Sequence, residues 1–375
     1  MQYRRFGKTN FPVSVFSLGT MRGLNDPSRF AEIVKIGLQY GINHIETASS
    51  YGNSEQYIGE ALKHLSQPRR ELYLTTKLPP TPNPEQMAVW LEASLNRLQV
   101  DYLDSVAIHG LNTWEHLAWV TGENNCLAPL QTAQKEGKIK QIGFSSHAPL
   151  EIILAAINTH LFSFINLHYY YFWQRNEPAV AAAHANDMGV FIISPTDKGG
   201  QLYAPSEKLE QLCTPFSPQV LNYRFLLSDP RITTLSLGAA EPSELFPALE
   251  VAEDTFPLTE EEKAALTRLE QQLDTALGTD KCSQCYQCLP CPEEINIPEV
   301  LRLRNLAIAY DMSGFGQYRY GMFENAGHWF PGNKGNRCTE CGDCLPRCPE
   351  NLDIPRLLQD THQRLNSSPR RRLWE

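Results

Sequence analysis

The sequence predicts an α/β protein in two parts: an eight-stranded (β/α)8 barrel of the TIM type, followed by a small, mostly α-helical domain rich in cysteine. Three observations support this prediction. The chain has 375 residues, which is more than one typical domain needs. Short apolar runs alternate with amphipathic stretches over its first two thirds. Of the ten cysteines, all but two follow residue 280, which marks a change of domain.

Eight apolar runs have the length and composition of buried strands. They cover residues 14–19, 41–45, 72–77, 104–109, 139–144, 162–167, 190–194 and 233–237. Helix-like segments follow them at about 28–40, 54–65, 83–98, 128–137, 149–159, 177–188, 217–228 and 242–252. In 83–98, for example, Met87, Leu91 and Leu95 recur at the spacing of one helix face. Strand–helix alternation implies parallel strands, and eight repeats suit a closed barrel, with a doubly wound open sheet as the alternative.

The composition excludes some classes of function. A formal charge of −9 argues against a general nucleic-acid binder. No apolar stretch approaches the roughly 20 residues that cross a bilayer, and the first residues lack the apolar core of a secretion signal. We therefore expect a cytoplasmic protein without a membrane span, whose cysteines do not form disulfides. The one compact basic run, Arg370 to Arg372, is typical of a solvated chain end.

Polar side chains follow three neighbouring strands where each strand ends. Glu46 and Tyr51 follow the second predicted strand, Lys77 ends the third and His109 ends the fourth. Barrels of this type gather their catalytic residues at this end of the strands. The residue types suit proton transfer, because a nearby ammonium lowers the pKa of a tyrosine from its usual value near 10. A carboxylate can hold that ammonium in place.

The segment Asn43-His44-Ile45-Glu46-Thr47-Ala48-Ser49-Ser50-Tyr51-Gly52 resembles the pattern His-x-Asp-Thr-Ala-x-x-Tyr-Gly of the aldo-keto reductases. The resemblance implies a nicotinamide-dependent oxidoreductase that reduces a carbonyl or oxidises an alcohol. It makes Tyr51 the general acid and Lys77 the cation that tunes it. His109 would orient the carbonyl or relay a proton, and Glu46 would hold Lys77. Glu46 stands where the family has aspartate, which keeps the charge and adds one methylene.

The same resemblance gives candidates for the nicotinamide site. In the family, a Ser-Asn pair and a glutamine hold the carboxamide of the nicotinamide. Here Ser145, Ser146 and Asn166 stand at those places. Two of the three are replacements, but all three side chains can form hydrogen bonds.

The loop after the seventh strand gives further candidates. Ser194, Lys198 and Gly199 lie there, and the loop has the backbone freedom and the positive charge to approach a pyrophosphate. After the eighth strand, many relatives carry basic residues around a 2′-phosphate. This chain has Glu241 and Glu244 instead, so both NADPH and NADH are candidate cofactors.

The strongest motif is a pair of four-cysteine runs. They are Cys282-x2-Cys285-x2-Cys288-x2-Cys291-Pro292 and Cys338-x2-Cys341-x2-Cys344-x3-Cys348-Pro349. The second run matches the bacterial ferredoxin pattern, and the first is one residue shorter in its last gap. Three cysteines at this spacing can surround one face of a [4Fe–4S] cubane. In two-cluster ferredoxins the fourth cysteine binds the other cluster.

On this pattern we expect two [4Fe–4S] clusters with crossed ligands. The ligands of the first would be Cys282, Cys285, Cys288 and Cys348, and those of the second Cys338, Cys341, Cys344 and Cys291. Helix-like segments at 300–309 and 357–365 follow the two runs, which resembles the α-helical type of two-cluster ferredoxin. Zinc is the alternative, because paired Cys-x2-Cys motifs also build zinc ribbons.

The whole chain resembles aldo-keto reductases that carry a C-terminal ferredoxin-like domain, with the barrel at 1–277 and the cluster domain at 278–375. Three functions fit this prediction. In the first, the barrel reduces a small carbonyl compound and the clusters exchange electrons with a redox partner protein. In the second, the enzyme's clusters are structural or sense oxidants. In the third, the chain is not an enzyme but a nicotinamide sensor or an electron-transfer or docking subunit.

Overall fold

The computed structural model describes residues 1–65, 67–254 and 257–367. Its strands are β1 (Tyr3–Arg5), β2 (Pro12–Ser14), β3 (Phe16–Gly19), β4 (His44–Glu46), β5 (Tyr73–Leu78), β6 (Leu103–Ile108), β7 (Ile139–Ser145), β8 (Phe164–Leu167), β9 (Gly189–Ile192) and β10 (Thr234–Leu237). The last eight form a closed barrel in the order β10-β3-β4-β5-β6-β7-β8-β9, and all its pairings are parallel. The predicted (β/α)8 barrel is confirmed, and the open sheet is excluded.

The pairing register brings the C-terminal ends of neighbouring strands level. Ile108 at the end of β6 pairs with Leu78 of β5 and with Phe144 of β7. Ser145 at the end of β7 pairs with Asn166 of β8. Side chains at and just beyond these positions therefore lie at the same end of the barrel.

The β1–β2 hairpin fills the opposite end of the barrel. Phe6 packs against His44, the first residue of β4, and against Phe164, the first residue of β8, with ring centroids 6.1 and 5.2 Å away. Gly189 begins β9 under the same ring, where a Cβ atom would lie 2.2 Å from Phe6. Only glycine fits there. This packing leaves the C-terminal strand ends as the place for a site.

The helices include all the predicted segments except the one at 242–252. They are α1 (Pro27–Gln39), α2 (Ser54–Lys63), α3 (Pro84–Leu98), α4 (Trp114–Thr121), α5 (Leu127–Lys135), α6 (Leu150–Asn158), α7 (Glu177–Ala185), α8 (Glu207–Cys213), α9 (Pro218–Leu227), α10 (Phe246–Leu249), α11 (Glu260–Leu277), α12 (Ile297–Tyr310), α13 (Ser313–Tyr320) and α14 (Ile354–Leu365). The helix predicted at 242–252 is instead a 3-10 turn followed by the four-residue α10. The sequence did not predict α4, α8 and α13.

The chain divides into two compact units. The first contains Met1–Gly199 and Asn222–Pro257, and the second contains Gly200–Leu221 and Leu258–Glu375. The second unit therefore includes α8 and α11 as well as the cysteine-rich segment. Arg268 of α11 donates to the carbonyl oxygen of Leu212 in α8 at 3.1 Å. The domain boundary predicted at residue 278, between the barrel and the cluster domain, stays a prediction.

The second unit contains a helical repeat behind its two cysteine runs. An Ile-Pro pair begins α12 behind Asn296 and α14 behind Asp353. Proline is favoured at the first turn of a helix because no hydrogen bond of the helix needs its missing amide proton. Within the described residues, no helix is both long and apolar enough to cross a membrane. The basic run Arg370 to Arg372 lies outside the described residues.

Candidate active site and metal centres

Four predicted residues meet at the C-terminal ends of β4, β5 and β6. Lys77, on β5, is almost fully buried, and its ammonium forms an ion pair with the equally buried carboxylate of Glu46. The same ammonium donates to the carbonyl oxygen of Thr47 at 3.0 Å and lies 3.3 Å from the hydroxyl of Tyr51. Glu46 therefore reaches the lysine despite its extra methylene.

His109 completes this group. Its ring packs edge-to-face on Tyr51, with centroids 5.6 Å apart. Its Nδ1 lies 3.3 Å from the hydroxyl of Ser50. The imidazole and the phenol are half-buried next to each other, so one carbonyl oxygen could contact both.

Burial dominates the protonation of this group. It raises the pKa of Tyr51 above its usual value of 10.0, so the phenol keeps its proton. It lowers the pKa of Lys77, and the neighbouring charge of Lys198 lowers it further. The pKa of His109 is also well below 6.5, because of burial and then of Lys77 and Lys198. His109 is therefore neutral at pH 7, whereas contact with Glu46 favours the charged form of Lys77.

Asn166 fits a nicotinamide carboxamide. It lies at the end of β8 and is fully buried, and neither its amide oxygen nor its amide nitrogen has a hydrogen-bond partner among the described residues. An unpaired buried amide is costly. A carboxamide offers the matching donor and acceptor, so Asn166 is suited to hold this group.

Ser145 and Ser146 lie at the same level, but their hydroxyls have protein partners. Ser145 Oγ accepts from the amide of Gly110 at 3.0 Å. Ser146 Oγ donates to the carbonyl oxygen of Leu111 at 2.7 Å and accepts from the amide of Ala148 at 3.1 Å. These bonds hold the loops after β6 and β7. A role for the two serines in cofactor binding stays a prediction.

The loop after β9 makes a tight turn. Ser194 has a left-handed backbone, with φ of 52°, and its carbonyl oxygen accepts from the amide of Lys198 at 3.1 Å. A Cβ atom on Gly199 would lie 1.9 Å from the carbonyl oxygen of Pro195, so the turn requires glycine. Lys198 is close enough to change the pKa values of Lys77 and His109, and this proximity could not be read from the sequence.

A chain of buried polar side chains lies at the ends of β7, β8 and β9, and the sequence did not predict it. Tyr170 donates to the carbonyl oxygen of Ile193 at 2.5 Å and accepts from Nδ1 of His168. Nε2 of His168 lies 3.0 Å from Nδ1 of His147. His147 and His168 both follow strand ends, as His109 does. The sequence places both histidines at strand ends, but it does not show that they contact each other.

The eight clustered cysteines line two cavities in the second unit. One cavity is lined by Cys282, Cys285, Cys288 and Cys348. The other is lined by Cys291, Cys338, Cys341 and Cys344. We call them the first and the second cluster cavity. Each contains three thiols of one run and the fourth thiol of the other, which are the predicted ligand sets. Ile297 lines both cavities.

The thiols of the two cavities could bind metal as thiolates. Among the residues that the structure describes, no three cysteine, histidine or acidic side chains are placed to bind one metal ion. Burial raises the pKa of Cys282 to about 11 and that of Cys288 to about 12. Both side chains therefore keep their protons at pH 7 until a metal binds, and metal binding must release these protons. The chemistry of four thiolates around a cavity fits an iron–sulfur cluster.

These features define a barrel oxidoreductase joined to an iron–sulfur domain. The chain belongs to the aldo/keto reductase family, whose model matches residues 15–271. A second model, a 4Fe-4S dicluster domain, matches residues 281–352. The predicted family and its C-terminal iron–sulfur domain are thereby confirmed.

Individual relatives match smaller parts. An uncharacterized oxidoreductase of Schizosaccharomyces pombe is 37% identical over 108 residues, which cover 28% of this chain and 31% of that protein. A methylglyoxal reductase of Salmonella typhi is 33% identical over 135 residues, 36% of this chain and 48% of that protein. The chain thus matches less than half the length of these relatives. The holo structure of an aldo-keto reductase from Bacillus halodurans shares the fold, with a TM-score of 0.63 and 23% identity over 72% of this chain and 96% of that one.

Proposed function

We propose that the chain reduces the carbonyl group of a small molecule, or oxidises the corresponding alcohol, with NADH or NADPH as hydride carrier. The observation that carries this proposal is the contact of Tyr51, Lys77 and Glu46 beside His109. A nicotinamide supplies or accepts the hydride when it is bound. The methylglyoxal reductase among the relatives makes small 2-oxo aldehydes a reasonable first substrate class to test.

The protein's own groups would manage the proton. His109, neutral at pH 7, can donate a hydrogen bond to the carbonyl oxygen and orient it. Tyr51 holds its proton until negative charge develops on that oxygen, because burial opposes earlier ionisation. Lys77 then stabilises the tyrosinate from 3.3 Å. Glu46 keeps Lys77 in this position.

The structure favours neither nucleotide. Glu244 and Glu241, which stand where relatives carry basic residues, form ion pairs with Arg22 and Arg29. The acidic side chains are therefore balanced by cations. We propose that Asn166 holds the carboxamide and that the Ser194–Gly199 loop approaches the pyrophosphate. Both nucleotides belong in every assay.

For the second unit we propose two [4Fe–4S] clusters that transfer electrons, held by the thiols of the two cavities. The cluster sites are neighbours because Ile297 lines both cavities. Clusters carry single electrons and so could exchange them with a redox partner protein. A structural or oxidant-sensing role is the alternative outcome of the experiments below.

The test uses protein purified without oxygen. Reduction of methylglyoxal and a panel of small aldehydes and ketones is followed by nicotinamide absorbance, for the unmodified chain and for Tyr51→Phe. Loss of a general acid lowers kcat by roughly 100-fold or more, whereas nucleotide binding, measured by fluorescence, stays unchanged. If reduction survives in Tyr51→Phe, the assignment of the four residues is wrong. If nucleotide binds but no carbonyl is reduced, the chain is a sensor or electron-transfer subunit.

Cluster reduction is measured separately, by visible and EPR spectra before and after adding NADH or NADPH. Clusters that become reduced show that nicotinamide and clusters exchange electrons within the chain. Clusters that respond to dithionite alone indicate an outside donor or a structural role. Zinc in place of iron contradicts the cluster proposal.

A further inference from the structure

The two cysteine loops are conformational copies of each other. In each, the second residue after the first cysteine has a left-handed backbone: φ is 58° at Gln284 and 58° at Glu340. The residue after the second cysteine is also left-handed, with φ of 62° at Tyr286 and 81° at Gly342. Such turns direct backbone amides inward, and the amide of Glu340 points at Cys338 Sγ from 3.4 Å. Residues at matching positions therefore face their cavities in the same way.

The copies differ at one position that matters for access. Glycine is the expected residue where φ is positive, and a bulky aromatic residue there is an outlier. The second loop has Gly342, but the first has Tyr286. Tyr286 lines the first cluster cavity, whereas Gly342 lines the second without a side chain. A Cβ atom on Gly342 would meet only Leu345 Cδ1, at 3.9 Å, so there is room for a side chain at this position beside the second cavity.

A second observation also distinguishes the second cavity. Cys291 lines this cavity and also lines an open groove. Pro290, Pro292 and Pro346 form the apolar part of the groove. Cys291, at the wall of the second cavity, therefore also faces the surface of the unit through the groove.

We propose that Tyr286 and Gly342 set unequal access to the two cluster sites. The aromatic ring of Tyr286 screens the first site from water, oxygen and electron carriers. The bare backbone of Gly342 leaves the second site open, and an external one-electron carrier reaches the chain there. This inference rests on the proposed clusters and adds the place of electron exchange: electrons enter or leave the chain beside Cys341 and Cys291.

The position of the tyrosine supports a protective role. A left-handed tyrosine is less stable than a left-handed glycine, so the fold would gain from glycine at position 286. The side chain is half-buried against the cavity it lines. The conformational cost is explained if the ring excludes solvent from the site. The second site needs no such ring, because an electron carrier must reach it.

The test exchanges the two residues in the full chain. Tyr286→Gly opens the first site, and Gly342→Tyr covers the second. Tyr286→Phe keeps the ring and is the control for the loss of the hydroxyl. Gly342→Ala adds the strain of a Cβ atom without the cover and is the control for Gly342→Tyr. Iron and sulfide content and the circular dichroism spectrum show whether each variant is folded and loaded.

Two rates are measured on each protein. In the first assay, stopped-flow absorbance follows reduction by the methyl viologen radical cation. One electron passes from each radical, which becomes the dication, to an oxidised cluster. In the second assay, cluster absorbance follows bleaching in air. For the unmodified protein we expect two phases in both assays, the faster from the second site.

The expected results are opposite for the two variants. Gly342→Tyr slows the fast phase of viologen reduction severalfold relative to Gly342→Ala. Tyr286→Gly speeds the slow phase and the slow bleaching severalfold relative to Tyr286→Phe. If Gly342→Tyr does not load its cluster, Tyr286→Gly decides alone, because it adds no volume. Loaded variants with unchanged rates would overturn this inference but not the clusters. A protein that binds zinc and no iron would overturn both.

Discussion

The barrel contains a histidine whose burial should make the protein sensitive to mild acid. His44 lies inside the barrel with both ring nitrogens hydrogen-bonded, Nδ1 to Ser17 Oγ and Nε2 to Thr75 Oγ1, each at 2.8 Å. Burial lowers the pKa of His44 from 6.5 to about 4, with Asp104 opposing and Lys77 adding to the shift. The folded protein thus keeps this histidine neutral in a range where the unfolded chain protonates it.

The sign and size of the effect follow from linkage. Above pH 6.5 neither state binds the proton, and the stability contributed by His44 is complete. As the pH falls from 6.5 towards 4, only the unfolded chain takes up the proton, so the free energy of unfolding falls. The loss is roughly 2 kcal/mol at pH 5 and about 3 kcal/mol when pH 4 is reached.

The assay compares the unmodified chain with His44→Gln, which can keep hydrogen bonds but does not titrate. The free energy of unfolding is measured by pulse proteolysis in urea, on protein kept without oxygen, at pH 7 and pH 5. The unmodified chain should lose about 2 kcal/mol more than His44→Gln. Other titrating groups cancel in this difference. His64→Gln, which changes an exposed histidine, is the control. An equal loss in His44→Gln and the unmodified chain would refute the reasoning.

Three further predictions concern the site residues. Glu46→Gln should lower the free energy of unfolding by about 3–5 kcal/mol in urea, because it leaves the buried charge of Lys77 without its partner; an undiminished stability would contradict the ion pair. Asn166→Ala should weaken nicotinamide binding by roughly 10- to 100-fold in a fluorescence titration, with unchanged binding as the contrary result. Cys348→Ser should remove one EPR signal and half the iron, and Cys291→Ser the other signal; loss of the same signal in both would refute the crossed ligands.

The barrel could be predicted because its signal is repeated. Each strand is short and apolar and each helix is amphipathic, so eight repeats agree even where one is weak. The thiol sets that line the two cavities could be predicted too, because the first three cysteines of each run share one spacing and two-cluster ferredoxins take the fourth ligand from the other run. Helix α8 was missed because seven residues give less than two turns of periodicity. The contacts of His147 with His168 join residues 21 apart, and only the strand register brings them together.

The charges around Tyr51 bear on the proposed transfer of its proton to a carbonyl oxygen. Lys77 and Lys198 carry two positive charges and Glu46 one negative charge, so these three groups sum to one positive charge. His109 adds none at pH 7, because burial and the two lysines keep its pKa low. In the proposed reaction, the tyrosinate that forms brings the sum to zero. Burial opposes this ionisation by raising the pKa of Tyr51. We propose that Lys198, which the sequence indicated only as a residue facing a pyrophosphate, also takes part in the electrostatics of proton transfer, because it lies close enough to lower the pKa values of Lys77 and His109.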